Sequence, residues 1–232
     1  MGKRAGELSA PLKEKLSESV DGDAEPGMRV QLARATTMVF APSKYEPDPA
    51  AGAAPEDSLE LEFVHGYSGK GGRNNVYLNE DGHAVYPVAA VGVVSDTASS
   101  TQKHFMGHNE DITCLAMHPG RRFVATGQLD PKGSETPFVC IWDSCDAEMA
   151  QVARVNFHER AVTAVTFSED GSKLLSIGED DDHWMAIWEW EKVLKAGISS
   201  EPSIQIGSGK EQVFGTAMNS DMGIVTYGPR YV

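Results

Sequence analysis

His108 is followed along the chain by Thr126, Asp130 and Trp142, and His158 by Ser176, Asp180 (or its neighbour Asp181) and Trp188. An imidazole, a hydroxyl and a carboxylate are the parts of a nucleophilic relay, in which the acid orients the ring and the ring takes the hydroxyl proton. The same groups also satisfy one another when they are buried together, with the indole N–H as a fourth member. Recurrence decides between the two readings. The step is 50 residues from His108 to His158 and 46 from Trp142 to Trp188, and the four residue types keep their order. A catalytic relay is built once, whereas a structural repeat carries its internal bonds in every unit. The eight residues are therefore expected to be structural hydrogen-bond sets, with no catalytic, cofactor-binding or metal-ligating residue and no cofactor.

Other candidate chemistry is weaker. Asp180-Asp181-Asp182-His183 contains metal-ligand types, but four consecutive residues cannot all face one ion, so a solvated loop is expected. Gly69-Lys70-Gly71-Gly72 and Gly207-Ser208-Gly209-Lys210 lack the P-loop spacing with Lys-Ser/Thr opening a helix, and both read as turns. Trp184, Trp188 and Trp190 could stack on a sugar, but Trp188 and Trp190 fall on the alternating segment Met185 to Trp190, where core packing is expected.

The elements that carry the two sets align with each other. Ile112-Thr113-Cys114-Leu115-Ala116-Met117 matches Val162-Thr163-Ala164-Val165-Thr166-Phe167, and Phe123-Val124-Ala125-Thr126-Gly127 matches Leu174-Leu175-Ser176-Ile177-Gly178. All are strand-like. A repeat that opens at a His and closes at a Trp-acid pair is the signature of a WD-type β-propeller blade. The step here is slightly above the roughly 40–45 residues of that repeat, as an inserted loop would make it. Val213 to Met218 and Gly223 to Gly228 repeat the first two strands a third time. The expected fold is all-β, an incomplete WD-repeat propeller with blades at 107–150, 157–195 and, in part, 207–232; a longer protein of which this is a fragment is expected.

Before the repeats, residues 1–35 read as a disordered polar tail in which Leu12 to Val20 could form two marginal helical turns. Residues 36–106 form a second region. Thr36 to Phe40 reads as a strand, Pro47 to Ser58 as a flexible connector, and Leu59-Glu60-Leu61-Glu62-Phe63-Val64 as a half-buried strand by its alternation. A hairpin is predicted with its turn at Asn79-Glu80-Asp81-Gly82, and Val88 to Val94 reads as one continuous inner strand.

The chain carries 20 Lys+Arg and 34 Asp+Glu, a formal net charge of −14. Residues 1–56 hold 7 basic and 9 acidic side chains, leaving 13 and 25 in the remainder, a net of −12 there. That sign repels phosphates and anionic lipid, so neither nucleic acid nor membrane is an expected partner. Cys114, Cys140 and Cys145 fit no metal or disulfide pattern, and the first two are expected as core thiols. No signal peptide is visible, and the apolar stretch from Val85 to Val94 is too short to span a bilayer.

One segment is far more specific than the repeats. Leu59-Glu60-Leu61-Glu62-Phe63-Val64-His65-Gly66-Tyr67-Ser68-Gly69-Lys70, continuing to Arg73-Asn74-Asn75-Val76-Tyr77-Leu78, strongly resembles the HELP motif of the echinoderm microtubule-associated protein-like family. Its motif positions here are Phe63, Gly66, Tyr67, Gly69, Arg73, Asn75, Val76 and Tyr77. Thr101 to His108 is similar to that family's entry into its first WD repeat, and Thr37 to Pro42 to the strand before the motif. The resemblance implies tandem propellers that the HELP motif helps to build and join. It also implies a non-enzymatic protein of cytoplasm and cytoskeleton, at cilium or spindle, that binds tubulin or microtubule-associated assemblies through propeller surfaces. The alternative is a generic WD-repeat scaffold for a signalling or ciliary complex without direct tubulin contact. Residues 1–35 depart from family members that hold the acidic microtubule surface with a coiled coil and a basic segment, because they have neither heptads nor net positive charge.

Overall fold

The structure is a computed structural model that describes residues 27–32, 35–40, 58–67, 69, 73–130, 136–199, 201–207, 209 and 212–229. The helical turns expected at Leu12 to Val20, and the connector except for Ser58, lie outside the described residues. The chain divides into two compact units, residues 1–60 and 61–232.

In the first unit β1 (Gly27–Leu32) and β2 (Ala35–Phe40) form an antiparallel hairpin, with Gly27 opposite Phe40 and Leu32 opposite Ala35. The strand at Thr36 to Phe40 is present. The tail expected to be disordered over residues 1–35 is corrected at its end, because β1 is ordered by pairing. Met28, Val30 and Leu32 alternate with Arg29 and Gln31, the period of a strand.

The second unit is a succession of antiparallel sheets. The first contains β3 (Tyr77–Leu78), β4 (Ala84–Val88), β5 (Val91–Asp96) and β6 (Thr101–Phe105) in that order. The second contains β7 (Ile112–Met117), β8 (Phe123–Gln128), β9 (Phe138–Asp143) and β10 (Gln151–Asn156). In the third, β11 (Val162–Phe167), β12 (Lys173–Gly178) and β13 (Trp184–Glu189) are followed by α1 (Trp190–Ala196), β14 (Ile198–Ser199) and β15 (Ile204–Gly207). Here β15 completes the sheet beside β13, while β14 pairs in parallel with β10 of the preceding sheet. Last, β16 (Gly215–Met218) and β17 (Ile224–Tyr227) form a two-stranded sheet. Each four-stranded meander is a propeller blade, and the sequence reading had not assigned one to Tyr77–Phe105.

The core lies in the seams between blades. All six residues of β9 are buried. Phe138, Cys140 and Trp142 join Val85, Val94 and Phe105 of the first blade, while Val139 and Ile141 join Val162, Phe167 and Leu174 of the third. A strand covered on both faces loses polar alternation, which is why Phe-Val-Cys-Ile-Trp is apolar throughout. Ala164, Leu175, Ile177 and Ile187 meet Val213 and Met218 in the next seam.

Two sequence expectations are corrected here. Val88 to Val94 is not one strand: Val88 pairs with Val91 across a turn in which Ala89 takes a left-handed φ of 49°, so both arms of a hairpin are apolar. Leu59 to Val64 is not a strand either. Leu59, Leu61 and Phe63 are exposed, and Val64 is held by a side chain in place of a neighbouring strand. Alternation supplied the pattern, but among the described residues no strand pairs with it. Pro87 is tolerated in β4 because β3 pairs only with Ala84 and Val85, leaving its missing N–H without a required acceptor.

Candidate functional site: buried polar sets and the motif strap

In the second blade His108 stands just before β7, Thr126 and Gln128 on β8 and Trp142 on β9. The His108 Nδ1–H donates to Gln128 Oε1 at 2.8 Å, leaving Nε2 to accept from the Thr126 hydroxyl at 2.7 Å. Trp142 Nε1–H then donates to Thr126 Oγ1 at 3.1 Å. The directions follow from Gln128 Oε1, which can only accept and so takes the Nδ1 proton of the ring, and from the indole, which can only donate. Gln128 Nε2 turns outward and donates to Asn109 Oδ1 at 2.6 Å. Thr126, Gln128 and Trp142 are fully buried. Burial pushes the His108 imidazole down to about 4 despite its bond to Gln128, so the ring is neutral.

The third blade repeats the chain with one exchange. His158 Nδ1–H donates to Asp180 Oδ2 at 3.1 Å, Ser176 Oγ–H donates to His158 Nε2 at 2.9 Å, and Trp188 Nε1–H donates to Ser176 Oγ at 3.1 Å. The other Asp180 oxygen accepts from the backbone N–H groups of Glu159 at 2.8 Å and Arg160 at 3.3 Å. Burial pushes the Asp180 carboxyl up, but these donors prevail and hold it below the usual carboxylate range. Gly178 makes the approach possible: a Cβ there would overlap Asp180 Oδ2 and His158 Nδ1.

The structure therefore brings together His108, Thr126 and Trp142, and also His158, Ser176, Asp180 and Trp188. Asp130 is a correction. It is exposed beyond the end of β8, and Gln128 takes the place expected for it. Asp180 lies two residues past Gly178, and the matching position past Gly127 is Leu129. Gln128 stands one residue nearer and reaches Nδ1 with its extra methylene. The absence of an acid two residues past Gly127 was the signal that a different acceptor is used. Asp181, the alternative to Asp180, is exposed and pairs with Arg160 at 2.7 Å.

Ser, His and Asp in the third blade have the bond order of a nucleophilic relay, but the setting differs. Ser176 is fully buried and His158 is 2% exposed. The hydroxyl already serves both an imidazole and an indole, and its burial leaves no approach for a carbonyl substrate. No group of three or more metal-ligating side chains occurs among the described residues. No helix among them is long and apolar enough to cross a membrane.

The motif residues form a strap over the first blade. Gln102 on β6 clasps it: the Val64 N–H donates to Gln102 Oε1 at 2.9 Å, and Gln102 Nε2 donates to the Val64 carbonyl at 3.3 Å and to Tyr86 Oη at 3.2 Å. Phe63 rests on His65 with ring centroids 4.7 Å apart. Gly66 turns the chain at φ 103°, where a side chain would be strained. Tyr67 follows, edge-on to Tyr86 at 5.7 Å with its hydroxyl donating to Asn75, while Gly69 lies against the Tyr67 ring. Val76 is exposed. Arg73 stacks its guanidinium 4.1 Å over Phe214, the residue before β16, beside a cavity of about 430 Å³ that Tyr77 also lines. Burial, then the neighbouring Tyr227, pushes the Tyr77 hydroxyl up.

His118 joins two blades. Its Nδ1 accepts from the Gly120 N–H at 3.0 Å and its Nε2–H donates to the Gly171 carbonyl at 3.3 Å. The ring stacks on Trp190 at 5.6 Å and meets Phe167 edge-on at 5.1 Å.

Repeated meanders with their His–hydroxyl–Trp sets define the class as a WD-type β-propeller. A chain of the crystal structure of the mitotic checkpoint complex shares the fold, with a TM-score of 0.52 at 20% identity over 66% of this chain and 43% of that one. The family model for the first β-propeller of echinoderm microtubule-associated proteins matches residues 101–232, and the HELP motif model matches 54–93. The chain belongs to the echinoderm microtubule-associated protein family. Among its relatives, human echinoderm microtubule-associated protein-like 1 is 39% identical over 60% of this chain and 18% of its own length. Echinoderm microtubule-associated protein-like 2 of Mus musculus is 35% identical over 69% and 28%. The 77 kDa echinoderm microtubule-associated protein of Strongylocentrotus purpuratus is 34% identical over 78% and 27%. The chain thus spans less than a third of these relatives.

Proposed function

We propose that this protein is a non-enzymatic component of the cytoskeleton that binds tubulin or a microtubule-associated assembly through the surfaces of its propeller blades. The observation that carries the reading is the succession, in one chain, of the HELP motif and the family's first propeller. Relatives of the chain are named for their association with microtubules. Burial and mutual bonding of both His–hydroxyl sets support the non-enzymatic part, since neither hydroxyl is open to a substrate. Cytoplasm and cytoskeleton, at spindle or cilium, are the places where this activity would act.

The proposed contact is made by blade surfaces and loops. With a net charge of −14, the chain gains nothing from long-range attraction to an acidic lattice. Its bound fraction should therefore hold steady or rise as salt increases to about 0.15 M, where charges are screened beyond roughly 8 Å. Co-pelleting of the full chain with microtubules, together with pull-down of free tubulin, tests this. Salt-tolerant binding to either supports the proposal. Failure of both, with recovery of a defined complex that lacks tubulin, favours the scaffold reading, to which the acidic surface already lends weight.

A further inference from the structure

The connection between β13 and β15 is longer than its geometry needs. These strands are antiparallel neighbours, with Ile187 opposite Ile204, and a hairpin of that kind closes with about two to five residues. Instead the chain runs from Trp190 to Pro202 through a helix and a short strand, and both leave their own blade. Trp190 inserts at the seam against His118, Phe123 and Phe167. Trp190 and Val193 share a buried cluster with Ala153 and Val155 of β10. The helix ends at Gly197 with φ 70°, and Ile198 and Ser199 then pair in parallel with Arg154 and Val155. The Arg154 N–H, on the outer edge of β10, donates to the Gly197 carbonyl at 2.6 Å.

An outer strand with free N–H and C=O groups is a template for pairing with another chain. β6 answers this with Lys103 in its middle. The single cation of β10, Arg154, does not guard the edge in the same way, because its guanidinium lies 3.5 Å over the Phe138 ring in the same blade. β14 covers that edge instead. We propose that the α1–β14 excursion is an intramolecular strap that occupies the open edge of β10 and excludes the β10 edge of a second copy of this chain. Edge-to-edge pairing of two identical strands would be antiparallel and isologous, a self-complementary contact that closes at a dimer.

Two variants of the full chain test the strap. One replaces Trp190 to Pro202 with Asn-Gly, shortening the connection to a hairpin turn. The other, Ile198→Pro with Ser199→Pro, keeps Trp190 and α1 in the core but removes both N–H donors of β14 and disfavours the Gly197 turn. Amide exchange at Val152 to Asn156 should speed up by about tenfold or more as the edge opens. Sedimentation of the double-proline variant should reveal a concentration-dependent dimer that the parent lacks. Unchanged exchange at β10 in the folded double-proline variant overturns the proposal. So does faster exchange without dimerisation, because β14 would then cover an edge that no second copy seeks.

Discussion

The second and third blades perform the same task with different chemistry, and the contrast lies in the side chain that accepts from the imidazole Nδ1–H. Both run indole N–H to hydroxyl to imidazole Nε2, then imidazole Nδ1–H to an oxygen. In the second blade that oxygen belongs to the neutral amide of Gln128; in the third it belongs to the carboxylate of Asp180. The amide leaves His108 with burial unopposed by any negative charge, and its pKa falls to about 4. The carboxylate brings a negative charge to the third set and also ties the loop through the N–H groups of Glu159 and Arg160. The bond pattern is thus conserved between blades by geometry, while the charge of the acceptor differs.

The largest expected difference between the blades concerns the tryptophans. Trp142 is fully buried and stacks on Phe105 of the first blade, with ring centroids 4.8 Å apart, so Trp142→Ala opens a seam as well as a blade. A loss of about 3–5 kcal/mol is expected in urea unfolding. Trp188→Ala should lose less, since its nearest ring, Phe157, is edge-on at 6.5 Å. Equal losses would mean that the seam contact adds nothing.

Next in size is acid sensitivity. A His with a depressed folded pKa takes up its proton in the unfolded chain first. Its contribution is therefore complete above the unfolded value of about 6.5 and is lost as pH falls toward 4. The interval is worth about 3 kcal/mol at most. Gln128→Glu would give the second blade the charge of the third and should flatten this loss. Melting curves between pH 7 and 4 check it, and a variant as acid-sensitive as the parent would break the comparison. Asp180 acts at lower pH. Its depressed pKa gives stability that is present above the usual carboxylate value near 3.8 and fades as pH drops below it.

Removing either hydroxyl, by Thr126→Val or Ser176→Ala, leaves a buried indole donor and a buried imidazole without their shared partner. About 1–3 kcal/mol should be lost in each case. The smallest effect belongs to Asp130→Ala. The side chain is exposed and outside the set, so the change in the urea midpoint should correspond to less than about 0.5 kcal/mol. A larger loss would place Asp130 back in the network.

Legibility in the sequence tracked how local each constraint is. The His, hydroxyl and Trp positions were readable because they are fixed within a blade and repeat with it. Gln128 was not, because an amide one residue earlier can reach the same nitrogen as an acid two residues past the glycine. Type and position had both shifted while the contact stayed. Leu59 to Val64 carried a strand's alternation without a strand's partner, and pairing is a non-local property. Val88 to Val94 hid a turn because both arms are apolar and Ala89 supplies the left-handed residue without glycine. The β14 strap had no local signature at all. Two residues pair across blades only because Trp190 has first anchored the helix before them.

The central claim is that these polar sets hold the blades. Asp180→Asn tests it most directly, because it keeps the shape of the third set and removes only its charge. Urea unfolding followed by tryptophan fluorescence at pH 7 should show about 1–3 kcal/mol lost, with amide exchange speeding up at Glu159 and Arg160. An unchanged midpoint together with unchanged exchange at those two residues would contradict the account.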